Sequence, residues 1–253
     1  MSVRRAVVNL SKQAIRAAKP SARCNPVSRC FASLPESISR SGEATSFPNE
    51  FPGQNYDFNW TLNGDGVTPI KKAAFRITKP LDLKVAGLKP LSTSPLKVNA
   101  SSAKSNMKEA GSDALDFDSY DEIAQRAKDL LSYSDALYCP EGHMPGSTTS
   151  VRVITNSDSL APKLLAYLDR APKRDSTGCS ITAYVLEDEN MDNFSAYAIE
   201  EVGETEEDIT SVAAVVCTGK NVKVEQVVAG LELSLDGLKE DEEARKAEAT
   251  SEE

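Results

Sequence analysis

From Ser119 to Leu238 the hydrophobic period switches repeatedly between that of a helix and that of a strand, and this alternation limits the fold more than any other feature. Ser119 and Glu122 form a capping-box pattern, and Ile123, Ala127, Leu130 and Leu131 share one face, so residues 119–132 are expected to be a helix. "ALYC" and "SVRVIT" follow as strands, the second with Arg152 inside an otherwise apolar run. A helix is predicted from about Ser157–Ser159, with Pro162 tolerated in its first turn and Leu160, Leu164, Leu165 and Leu168 along one face. "SITAYVLE", "FSAYAIEE" and "SVAAVVCT" are three further strands, and Val224, Val227, Val228, Leu231, Leu235 and Leu238 mark a last helix, weakened at Gly230. The order helix, strand, strand, helix, three strands, helix predicts an α/β domain over 114–238, with α+β as the alternative: one mixed sheet with flanking helices.

Residues 32–113 have a different character. Proline, glycine, serine, asparagine and lysine dominate, and the segment is expected to be an irregular arm and linker. Phe47, Phe51, Tyr56, Phe58 and Trp60 crowd into "FPNEFPGQNYDFNW", which favours an arm that packs its rings on the domain or on a partner. "TLNGDGV" supplies a tight turn, "KKAAFRITKPLDLKV" reads as short extended pieces broken at Pro80, and "STSPLKVNASSAKSNMKEAGSDA" reads as a flexible linker. The acidic stretch 239–253 is expected to be a solvated or disordered tail.

The first residues read as an address. Arg4, Arg5, Lys12, Arg16, Lys19, Arg23 and Arg29 precede the first acid, Glu36, and Val3, Val7, Leu10, Ala14 and Ala17 recur at helical spacing. Such a basic, serine-rich, amphipathic leader is the pattern of a mitochondrial transit peptide over 1–31, and "RCFAS" places the cut between Phe31 and Ala32. The competing reading is a basic helix retained to lie on a membrane or nucleic acid. Without the seven leader charges, 22 of the 29 Lys and Arg face 38 acids, a net charge of −16. That balance argues against a nucleic-acid binder, which needs a basic footprint. No apolar run reaches the roughly 18 residues of a transmembrane helix. The expected location is the matrix or the matrix side of the inner membrane. Cys139, Cys179 and Cys217 remain after cleavage, an odd number without a C-x-x-C, which disfavours a disulfide framework or a structural zinc.

Few residues invite chemistry. His143, the only histidine, stands in "CPEGHMPGS" with Cys139 and Glu141; among its glycines and prolines it reads as a loop residue more readily than as a metal ligand or base. "AVVCTGKNV" lies at a strand–helix junction, where phosphates bind, but only Gly219 and Lys220 fit a phosphate-loop pattern; Ala214 and Asn221 do not. The acidic run "EEVGETEED" reads as a solvated loop. No catalytic, cofactor-binding or metal residue is assigned.

The stretch from Ser119 to Pro172 resembles a segment of the N-terminal domain of ATP-dependent phosphoenolpyruvate carboxykinases, through Leu137-Tyr138, Glu141-Gly142, Val151-Arg152-Val153-Ile154-Thr155 and Arg170-Ala171-Pro172, and extends loosely to about 218. The resemblance implies a relative of a gluconeogenic enzyme that converts oxaloacetate to phosphoenolpyruvate. The family's "GRSP" motif does not occur, and its G-x-x-x-x-G-K-T loop and metal-binding Lys, His and Asp would be expected beyond 218, where no such pattern stands. The expectation is a mitochondrial protein related to that domain, inactive alone and working with a protein partner; the alternative is a non-catalytic accessory subunit of a mitochondrial assembly.

Overall fold

The structure, a computed structural model, describes Leu62 and residues 65–69, 74–92, 95–170, 179–203 and 210–251. The leader and the aromatic run from Phe47 to Trp60 lie outside the described residues. Seven strands form one mixed sheet: β1 (Ala74–Ile77), β2 (Lys108–Glu109), β3 (Leu137–His143), β4 (Ser150–Thr155), β5 (Ile181–Glu187), β6 (Phe194–Val202) and β7 (Thr210–Gly219). Their spatial order is β1-β3-β4-β5-β7-β6-β2. β4, β5 and β7 run parallel, β3 and β6 run against them, and β1 and β2 close the two edges.

Helices cover both faces, which is why the central strands are apolar on both sides. On one face α4 (Leu160–Tyr167) and α5 (Val224–Ser251), with the short α2 (Ser101–Lys104), bury Val151, Val153, Ile181, Val185, Val215 and Cys217. On the other, α3 (Phe117–Tyr133) lays Tyr120, Ala124, Ala127 and Leu131 over Ile154, Tyr184, Ala196 and Val216. The Tyr120 hydroxyl fixes that helix to the sheet by donating to the Ala214 carbonyl at 2.8 Å. A six-residue helix, α1 (Pro80–Val85), follows β1 and turns Leu83 inward beside Ile77 and Ala161.

The predicted strands and helices between 119 and 238 are present, with corrected edges. The N-cap of α3 is Asp116, whose carboxylate accepts from the Ser119 backbone N–H at 2.8 Å, so the helix begins a turn earlier than the Ser119 pattern implies. β3 runs through Pro140 and Gly142 to His143, so His143 ends a strand and does not sit in a loop. It stays extended because its backbone pairs with Asp169, N–H to carbonyl both ways at 2.8 and 2.9 Å. A Cβ at Gly142 would lie 2.6 Å from the Asp169 carbonyl oxygen, so glycine is what lets the two segments touch.

The larger differences lie upstream and at the end of the chain. Pro80 does not break an extended piece; it opens α1, where its fixed φ suits the first turn. The stretch expected to be linker supplies α2 and β2, held by Leu96 N–H donating to the Ala166 carbonyl at 2.7 Å and by buried Ala100 and Ala110. Leu62 and Val67 are buried under α3, and the turn expected at Asp65-Gly66 is present, with Gly66 at φ +77°. The acidic tail continues α5 as helix to Ser251. Gly230 does not interrupt that helix: a Cβ there would lie 2.5 Å from Val215 Cγ1, so the glycine lets α5 approach β7 closely. Gly237, two turns on, does the same over Ile199 of β6.

Candidate functional site

Alternation along β1, β3 and β4 puts Arg76, Glu141 and Arg152 on the α3 face, and the register sets Glu141 directly opposite Arg152. Arg152 Nε donates to Glu141 Oε1 at 2.8 Å, and Arg76 Nε donates to Oε2, also at 2.8 Å. Arg152 Nη1 reaches Asp65 Oδ2 at 2.6 Å, completing a chain of two cations and two anions. The side chains of Arg76, Glu141 and Arg152 are no more than 10% exposed. Burial holds the Asp65 carboxyl above its ordinary range against the pull of Arg152. Charges so deeply placed persist only when paired. Tyr184 donates its hydroxyl to the Asp65 carbonyl at 2.8 Å, and the Lys128 ammonium stands over the Tyr184 ring at 4.7 Å. Cys179 lies close by, its thiol pushed up to about 12 by burial and then by Glu141, which leaves it a poor nucleophile. The cluster ties the Asp65 turn and three strands together with its charges mutually satisfied.

Cys139 and Glu141, considered above with His143 as a possible ligand set, are thus engaged separately: Cys139 is in the core under α3 and Glu141 belongs to the arginines. Among the described residues no group of three or more His, Cys, Asp or Glu side chains is placed to hold a metal.

Topology decides the strand–helix junction at Gly219. β5 is followed in sequence by β6, yet β7 lies between them, so residues 188–193 must cross the carboxyl end of β7. That loop packs directly on the junction. Asp188 N–H donates to the Gly219 carbonyl at 3.1 Å, the Thr218 hydroxyl donates to the Asp192 carbonyl at 3.0 Å, and Asn193 lies against the Gly219 Cα. Gly219, at φ +144°, therefore serves the crossing loop. Lys220 points outward to Glu189 at 3.2 Å. Of the acidic run, Glu200 to Val202 belong to β6, and residues 204–209 lie outside the described ones.

One concavity among the described residues opens at the carboxyl ends of β4 and β5, the edge at which open α/β sheets take ligands. Its roughly 480 Å³ lie between the end of α3 and the start of α4, lined by Leu130, Tyr133, Tyr138 and Leu186 and by the carboxylates of Asp135, Asp158 and Asp188. Asn156 joins the two strand ends, its amide donating to the Glu187 carbonyl and accepting from the Glu187 N–H, each at 2.9 Å. The Asp158 and Asp188 carboxylates at this rim disfavour an anionic group such as a phosphate.

Sequence reasoning singled out Arg152 as an arginine in an apolar strand but did not supply its partners. A charge in a strand buried on both faces requires a counter-charge; register supplies Glu141 and the turn at Asp65 supplies the second. No protein-family model matches this sequence, and no curated protein matches it.

Proposed function

We propose that this chain is a mitochondrially imported accessory protein, an α/β module that binds within an assembly and does not turn over substrate by itself. The observation that carries the reading is the crossing loop at Gly219: Asn193 and Asp188 pack against Gly219, in the junction that comes nearest to a phosphate loop. The Arg76–Glu141–Arg152–Asp65 cluster supports it, since these charges pair with one another across three strands and the Asp65 turn. The basic amphipathic leader supports import. Blue-native electrophoresis of tagged protein from mitochondria tests the proposal: migration in a complex well above 27.3 kDa is expected. Migration as a free monomer, or ATP-dependent decarboxylation of oxaloacetate by the purified chain, overturns it.

A second reading is kinship with the N-terminal domain of ATP-dependent phosphoenolpyruvate carboxykinases. It is supported by the order α3, β3, β4, α4 across the stretch that carries the resemblance. Association with a full-length carboxykinase in the same native gel would favour it over the unrelated-assembly alternative.

A further inference from the structure

The acidity of the chain is not uniform. Between Gly66 and Met107 there are eight Lys and Arg and a single acid, Asp82, in a protein whose net charge is −9. Asp82 is buried, with Oδ2 accepting from the backbone N–H groups of Thr78 and Lys79, so it does little to offset the surface charge. The same flank holds three of the five large apolar side chains that stand exposed among the described residues: Leu81 at 57%, Val85 at 48% and Leu91 at 39%. Leu81 and Val85 are four residues apart on α1 and share its outer face, while Leu83 faces the core. Lys84 and Lys89 are exposed between and beside them, and neither makes an ion pair among the described residues.

We propose that the outer face of α1, with Leu81 and Val85 flanked by Lys79, Lys84 and Lys89, docks the protein peripherally on an anionic phospholipid membrane. Charge complementarity selects an anionic occupant, and shape selects a lipid surface over an acidic peptide. The groove beside α1, about 380 Å³, is lined from this flank by Thr78, Pro80, Leu83, Pro90, Leu91 and Pro95; Leu81 and Val85 lie outside its lining. Apolar side chains on the outer face of a short helix, with lysines between them, match an interface in which the apolar groups enter the acyl boundary and the ammonium groups stay at the phosphates. Among the described residues no helix is long and apolar enough to cross a membrane, so such an attachment would be reversible and peripheral. The acidic bulk of the protein does not prevent it, because at physiological salt charges beyond about 8 Å are screened and the docking face is felt first. The inference is independent of the import reading, since it concerns lipid binding in vitro.

Vesicle flotation of the chain from Ala32 onward tests it; that chain keeps every described residue and lacks the leader, whose seven basic residues would themselves attract anionic lipid. Flotation is expected with phosphatidylcholine vesicles containing roughly 20% cardiolipin and not with phosphatidylcholine alone, and it should fall as NaCl rises from about 50 to about 500 mM. Lys84→Glu with Lys89→Glu, and separately Leu81→Ser with Val85→Ser, should each lower partitioning at least about tenfold without changing the melting temperature, because all four side chains are exposed. No flotation of the parent chain, or equal flotation of parent and both variants, overturns the proposal. Flotation that appears only when residues 47–60 are deleted also overturns it, because it would assign this face to the chain's own aromatic segment.

Discussion

Glu141 and Arg152 face each other across β3 and β4, carboxylate to guanidinium at 2.8 Å, in a layer from which water is largely excluded. Glu141 also serves Arg76, so one carboxylate neutralises two buried cations. Glu141→Ala should therefore cost about 3–5 kcal/mol, the range for breaking a buried pair and stranding its partners. Glu141→Gln, which keeps the shape and an acceptor, should cost less. Chemical denaturation of the two variants checks both the size and the order.

Two glycines on α5 give opposite readings of the same substitution. Helix propensity predicts that glycine to alanine stabilises a helix interior by roughly 1 kcal/mol. At Gly230 the new methyl would meet Val215 Cγ1, a stiff β-branched neighbour, at 2.5 Å, so Gly230→Ala should instead destabilise by about 1–3 kcal/mol. At Gly237 the obstacle is the tip of Ile199, Cδ1, which can rotate aside, so Gly237→Ala should be close to neutral. Urea midpoints of the two variants decide whether packing or propensity governs each position.

The cap of α3 gives a pH signature. The Ser119 backbone N–H, with the Ser119 hydroxyl, holds the Asp116 carboxyl below its ordinary range. Because the folded value is depressed, the contribution is present above the unfolded value and is lost as pH falls through the folded one. Asp116→Ala should melt at a lower temperature than the parent at neutral pH, and the gap should narrow as the pH drops below about 4. A gap unchanged from neutral to acid pH would mean that the carboxylate does not act as the cap.

Thiol chemistry should be muted in the native state. Cys139 and Cys217 are buried, and burial pushes the Cys217 thiol up to about 12. Cys179 is pushed equally high by burial and by Glu141. In the chain from Ala32 onward a water-soluble disulfide reagent at about pH 8 should label none of the three at the rate of a free thiol, because so little thiolate is present. All three should react once denaturant is added.

The sequence by itself determined the parts of this fold whose signal is local. Leu160, Leu164 and Leu168 recur at helical spacing, and "ITAYVLE" and "SVAAVVCT" are short segments rich in β-branched residues, the composition of buried strands. Those periods are set by backbone geometry and are legible without partners. Tertiary structure alone decided the rest. β1 falls within a stretch expected to be extended, but its place beside β3 is set by the sheet, and β2, two residues long, is a strand only because β6 offers it an edge. Gly230 reads as a weakness along the chain and as a close contact once β7 is beneath it. Arg76, Glu141 and Asp65 are separated in sequence by 11 to 76 residues, so no local pattern could join them to one another; register and the Asp65 turn bring them to Arg152. The same holds at Gly219, where a phosphate-loop fragment is plausible along the chain. There the crossing loop packs on Gly219 because β5, β7 and β6 stand in that order and the chain must cross β7 to connect them.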